Sequence, residues 1–245
     1  MNTYQIIIEY AGTNFVGWQI QKNGISVQEI IQKVVSKLVK TKITLSGSGR
    51  TDAGVHALAQ CANFNLDKKF TDYQILNGLN FHLGNEKIKI SKVENVSEDF
   101  NARFSKNKKT YCYQVYNTPS PSVLEGDYSI HVKQNLDVDA MNEAIVNFKG
   151  KHDFSSFRGR GCQAKSPIKS VDFTSIEISN DKIIFIFQAQ SFLYQQIRIM
   201  VGTLLEIGLN NKKPAWINEL LTLRNRVLAG PTMPPRGLIL KEITY

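Results

Sequence analysis

Apolar residues along this chain recur at two spacings, every second position and every third or fourth, and the two alternate in the same order twice. Residues 3–10, TYQIIIEY, carry the β-branched run of a strand. In SVQEIIQKVVSKLVK, residues 26–40, Val27, Ile30, Ile31, Val34 and Leu38 recur at helical spacing, behind a capping box of Ser26 and Glu29. KITLS (42–46) reads as a strand leading into a glycine-rich turn, and ALAQCANFNL (57–66) alternates as another. TDYQILNGLN (71–80) opens with Thr71 and Gln74 at capping-box spacing, and EKIKISKVENV (86–96) closes the series as a strand. The order is βαββαβ.

The second half repeats it. The strand TYCYQVYN (110–117) precedes a helix, DAMNEAIVNFKG (139–150), whose Met141, Ala144, Ile145 and Phe148 share one face before Gly150. KSVDFTSIEIS (169–179) and DKIIFIFQAQ (181–190) follow as a hairpin. A helix over SFLYQQIRIMVGTLLEIG (191–208), a short one begun by Pro214 and a last strand, GLILKEITY (237–245), complete the pattern. This predicts an α+β chain of two tandem ferredoxin-like units, residues 1–105 and 106–245. Each has an antiparallel sheet with helices on one face, and a ligand is expected on the other face or in the cleft between units.

Composition narrows the class. The 245 residues are 42% hydrophobic, enough for real cores. The opening MNTYQIIIEYAG has no basic segment followed by a long apolar one, and no uncharged apolar run spans a bilayer, so a soluble, cytoplasmic protein is expected. Three dispersed cysteines, Cys61, Cys112 and Cys162, offer neither a disulfide framework nor a CxxC zinc site. The four histidines, His56, His82, His131 and His152, are equally scattered, and no metal is expected.

Charge points to a partner. Thirty Lys and Arg against 21 Asp and Glu give a net charge of +9, which favours a polyanion, with nucleic acid ahead of a membrane surface. Individual lysines, such as those in SKNKKT, read as solvated loop positions; the total carries the inference.

Against that charge, GSGRTDAGVHA (47–57) places the carboxylate Asp52 among glycines two residues after Arg50. No Gly-Lys-Ser/Thr follows, as a phosphate loop requires, and a dinucleotide fingerprint needs glycine where Asp52 stands. An Asp in such a turn commonly caps its own backbone. In a protein that attracts phosphates, however, an ionised carboxylate is costly unless it acts as a nucleophile or general base. Arg198 raises a matching question, because Tyr194, Val201 and Leu205 share its helical face, while no acid stands three or four residues away. A guanidinium there either snorkels to water or pairs with an acid from elsewhere in the fold, and Asp52 is the candidate. On the strand 110–117, Tyr111, Tyr113 and Tyr116 offer a surface on which an unstacked base can rest.

Four stretches, GRTDAGVHA, TYCYQVYN, FLYQQIRIMVG and GPTMPPRGLIL, occur in an order that resembles the tRNA pseudouridine synthase A family nearly end to end. The first is the most specific. The resemblance implies the pseudouridine synthase fold and a homodimeric, cofactor-free isomerase that converts uridines 38, 39 and 40 of the tRNA anticodon arm to pseudouridine. It assigns Asp52 as the catalytic carboxylate and Arg50, Tyr111 and Arg198 as substrate-binding residues. Tyr194, Gln195 and Gln196 depart from the family pattern, which leaves their contacts open. Asp52 has three available roles: attack on ribose C1′, attack on the base, or removal of a ribose proton to give a glycal. The target base must leave its stack, at a cost of a few kcal/mol, with Arg50 filling the space. The alternative is a non-catalytic tRNA-binding or folding protein of the same fold.

Overall fold

The computed structural model describes residues 1–105 and 107–245, which divide into two compact units: 1–107 with Leu240–Tyr245, and 108–239. Among the described residues, no helix is long and apolar enough to cross a membrane.

In the first unit, β1 (Asn2–Tyr10) is followed by α1 (Val27–Val39), β2 (Ser46–Gly47), β3 (His56–Leu66), α2 (Asp72–Leu83) and β4 (Ile88–Val96). Strand β1 lies between β4 and β3, antiparallel to both, and β2 pairs with β3. The period-two pattern of β1 turns Tyr4, Ile6, Ile8 and Tyr10 into the core, all at most 3% exposed. Helix α1 buries Val27, Ile31 and Val35, and the Ser26 hydroxyl accepts from the Glu29 amide at 3.2 Å. Helix α2 has the complete capping box: the Thr71 hydroxyl accepts from Gln74 N at 3.2 Å, and the Gln74 carboxamide accepts from Thr71 N at 2.9 Å.

The expected strand at 42–46 forms only at its end. Ile43 N donates to the Ser36 hydroxyl, Leu45 N to the Gln32 side chain, and Gln28 Nε2 to the Leu45 carbonyl, at 3.2, 3.1 and 2.8 Å. Polar side chains of α1 thus satisfy this backbone where a neighbouring strand was expected. Ile43 and Leu45 remain buried, so the apolar alternation was real while the ladder was absent.

The second unit holds β5 (Lys108–Asn117), β6 (Ile130–Val132), α3 (Val138–Ile145), β7 (Gly150–Asp153), β8 (Ile168–Ser179), β9 (Lys182–Ala189), α4 (Gln196–Gly208) and α5 (Trp216–Leu223). Its strand order is β5-β9-β8-β7, antiparallel throughout, with β6 parallel to β5. The short strands β6 and β7 were not foreseen. Helix α3 packs on α4 and β8, and its N-cap, Asp137, accepts from Ala140 N at 2.9 Å. The last strand, β10 (Leu238–Thr244), has its first two residues in this unit and the rest in the first. Ile239 packs with Cys112 and Ile186, while Tyr245 donates to the Ala102 carbonyl at 2.9 Å.

Helix α4 starts five residues later than its periodicity suggests. Gln195 is left-handed, with φ 61°, and the Gln196 carboxamide turns back to accept from Leu193 N at 2.8 Å. Tyr194 therefore lies before the helix and outside the stripe formed by Arg198, Val201 and Leu205.

Candidate active site

The Asp52 loop is built by three neighbours of the first unit. Gln60, fully buried on β3, accepts from the Ser48 hydroxyl at 2.7 Å and from Cys61 N at 3.1 Å, and donates to the Gly49 carbonyl at 3.1 Å. One carboxamide thereby fixes both residues that precede Arg50. The end of β1 and the residues after it, 10–18, supply the second support. Trp18 N donates to the Thr51 carbonyl at 3.3 Å, Gly54 N to the Phe15 carbonyl at 3.3 Å, and the Tyr10 and Thr51 hydroxyl oxygens lie 2.8 Å apart. Gly17 has φ +107°, and a Cβ there would stand 2.5 Å from the Thr51 carbonyl oxygen, so only glycine admits this approach.

The third support is the turn itself. Val55 N donates to the Asp52 carbonyl at 3.2 Å, with Gly54 at φ 77° in the third position, where a type II turn needs a positive φ. Gly12 N then donates to His56 Nδ1 at 3.1 Å. This nitrogen is an acceptor, so the His56 ring is the neutral Nε2–H tautomer and serves as an anchor of the loop. The outcome is a half-buried Asp52 on a backbone fixed on both sides, with Arg50 exposed beside it.

Burial pushes the Tyr10 phenol well above its ordinary value, with the hydrogen bonds to Thr51 and Gln60 acting the other way. Tyr10 therefore supports Thr51 as a neutral phenol.

In the second unit, Tyr111 stands opposite Phe187 of β9, is 8% exposed, and meets Phe192 edge to face at 5.6 Å between ring centres. The broader tyrosine surface expected on this strand does not form. Tyr113 is fully buried and donates to the Pro234 carbonyl at 2.8 Å, and Tyr116 bonds Asp181 at 3.2 Å. Phe192 escaped notice because SFLYQQ reads as the first turn of a helix.

Arg198 is half-buried, and its Nε donates to the Met233 carbonyl at 2.6 Å. Met233 N returns a bond to the Arg198 carbonyl at 3.2 Å, and Gly230 N donates to the Thr203 hydroxyl at 3.1 Å. Residues 230–233, the start of GPTMPPRGLIL, thus run along α4 and orient the guanidinium. The sequence marked this stretch only through family resemblance; in the structure it hydrogen-bonds Arg198 and Thr203 of α4.

A carboxylate on a backbone fixed on both sides, two residues from an exposed arginine, in a chain of net charge +9, is a set of groups suited to chemistry on a nucleic acid. A family model described as tRNA pseudouridine synthase matches residues 6–105 and 144–245, and the chain belongs to that family. The matched stretches contain Arg50, Asp52 and Arg198, while Tyr111 falls between them.

Among curated proteins, it is 43% identical over 243 residues to tRNA pseudouridine synthase A of Ehrlichia canis (strain Jake), covering 99% of each chain. It is 40% identical over 245 residues to the protein of that name from Rhodospirillum centenum, covering all of both. Among solved structures, it is similar to the archaeal box H/ACA sRNP Nop10-Cbf5 complex over 83% of this chain and 43% of that one. That likeness, at 11% identity and a TM-score of 0.38, is too remote to carry an argument.

Proposed function

We propose that this chain is a cofactor-free tRNA pseudouridine synthase that isomerises uridines 38, 39 and 40 of the anticodon arm, with Asp52 as its catalytic nucleophile. The observation that carries the reading is the Asp52 turn, where Gln60, Tyr10 and His56 fix the backbone on either side of one acid. A carboxylate that merely capped its own turn would not need such a frame. The reaction matches the groups proposed. The N1–C1′ bond breaks, the base turns, a C5–C1′ bond forms, the C5 proton leaves and N1 takes one up. Substrate and product are isomers, so no oxidant, reductant or transferred group enters.

Within this reading Arg50, exposed at the edge of the turn, fills the space left by the everted base and compensates part of its unstacking. Tyr111 receives the flipped uracil on its ring, and Arg198 contributes positive charge to the bound substrate. The family resemblance extends the proposal to a homodimer acting in the cytoplasm.

Asp52→Asn tests it. Release of tritium from C5-labelled uridine in tRNA should fall by about a thousandfold or more, as for loss of a nucleophile, while tRNA affinity stays within a few-fold. Unchanged release overturns the assignment of Asp52. A wild-type chain that binds tRNA and releases no tritium favours the non-catalytic RNA-binding protein.

A further inference from the structure

Phe104 holds its ring 78% exposed on the tip of a turn whose backbone is almost completely fixed. The Asn101 side chain accepts from Arg103 N at 3.0 Å and Phe104 N at 3.3 Å, and Ser105 N donates to the Asn101 carbonyl at 2.9 Å. Beneath the tip, Ala102 is fully buried; its N–H donates to Asn63 at 2.9 Å and its carbonyl accepts from Tyr245 at 2.9 Å. Asn107 Nδ2 donates to the Ser105 carbonyl at 2.8 Å, closing the far side.

An exposed Phe on a loose loop has little meaning, since it folds back against the surface. Here the backbone is committed to presenting it. The Arg103 guanidinium lies 5.5 Å from the ring centre, placing a cation beside the aromatic face. In sequence the tip belongs to ARFSKNKK, where Arg103, Lys106, Lys108 and Lys109 fall within seven residues. An aromatic ring next to a guanidinium in a basic run is suited to an unpaired nucleotide, with the base on the ring and the phosphate on the cation.

We propose that Arg103 and Phe104 form a contact for an unpaired nucleotide of bound RNA, separate in sequence from the residues assigned to catalysis. The proposal rests on the tRNA-modifying reading for its ligand and adds a fixed stacking point to it. Phe104 reads no particular base, because every base offers a π face; it distinguishes a splayed nucleotide from one inside a duplex. Arg103 adds a salt-sensitive share.

The test compares Phe104→Ala, Phe104→Trp and Arg103→Ala in the full chain, using equilibrium binding of unmodified tRNA and of a blunt, fully paired RNA duplex. Loss of one base–aromatic stack should raise the Kd for tRNA about tenfold in Phe104→Ala, with the duplex Kd unchanged. Phe104→Trp should retain tRNA affinity, and its added indole emission should be quenched on binding. Arg103→Ala should weaken binding and flatten the salt dependence. Thermal unfolding of Phe104→Ala should match the wild type, because the ring contributes little buried area.

Equal tRNA affinity in wild type and Phe104→Ala overturns the proposal, as does an equal loss for tRNA and duplex. A change of sedimentation mass in Phe104→Ala without a change in tRNA binding also overturns it, assigning the tip to a second copy of the chain. Tritium release by the wild type, measured on the same preparation, separates the two readings. Release without Phe104-dependent binding removes this contact and keeps the isomerase, and Phe104-dependent binding without release does the reverse.

Discussion

The hydroxyl oxygens of Tyr10 and Thr51 lie 2.8 Å apart in a buried contact, one residue before Asp52. Tyr10 ends β1 and Thr51 lies in the turn, so the bond ties the rigid edge of a sheet to the loop that carries the acid. The Thr51 carbonyl is held as well, by Trp18 N. Geometry errors of about 1 Å at a reacting group can cost on the order of a hundredfold in rate, so if Asp52 is the nucleophile proposed above, these bonds bear on its rate.

Tyr10→Phe should remove the bond and leave the Thr51 hydroxyl buried without that partner. The expected cost is about 1 kcal/mol of stability, read by urea unfolding. Turnover in the tritium assay should fall several-fold while tRNA affinity is kept, because the loop still forms but holds Asp52 less firmly. A loss of affinity with normal turnover would assign the bond to RNA binding.

Gly17→Ala should be the more damaging change. The residue has φ +107°, and the added methyl would stand 2.5 Å from the Thr51 carbonyl oxygen, a backbone atom that cannot move alone. Strain plus displacement should cost about 2 kcal/mol or more. The checks are the unfolding midpoint and tritium release; a variant with normal values for both would remove the close approach as a constraint.

Alkaline pH should weaken the fold through two buried phenols. Tyr10 and Tyr113 are both pushed above the ordinary tyrosine value by burial, with Arg198 and Arg236 opposing this in part at Tyr113. A raised folded value means the unfolded chain loses its phenol protons first. The contribution to stability is therefore complete below the unfolded value of 10.0 and is lost as pH rises above it. Each phenol should add a slope approaching about 1.4 kcal/mol per pH unit. Denaturation midpoints across this range should drop in the wild type and drop less steeply in Tyr10→Phe and Tyr113→Phe.

Much of this was legible in the chain because it is local. Period-two and helical spacings placed β1, α1, β3, α2, β4, β5, β8 and β9. The Thr71 and Gln74 pair announced α2, because a capping box needs only four consecutive residues. Asp52 stood out by charge contrast with its surroundings, which requires no coordinates.

The misreadings arose where particular hydrogen bonds, near or far in sequence, overrode the periodic pattern. Strand 42–46 lost its ladder to side chains of α1 that sequence spacing cannot bring to it. Helix α4 lost its first turn to a left-handed Gln195 and the bond from Leu193 N to Gln196, which periodicity cannot detect. Tyr113 left the expected stacking surface because Pro234, 121 residues away, takes its hydroxyl in the core.

By itself, the sequence determined most of the elements and their order and the basic character, and it singled out Asp52 as the candidate acid, all from neighbouring residues and composition. Only the tertiary structure decided that Gln60, Tyr10 and Gly17 frame that acid, and that Met233 hydrogen-bonds Arg198. Those are hydrogen bonds and close approaches between residues remote along the chain, and their geometry exists only once the chain has folded.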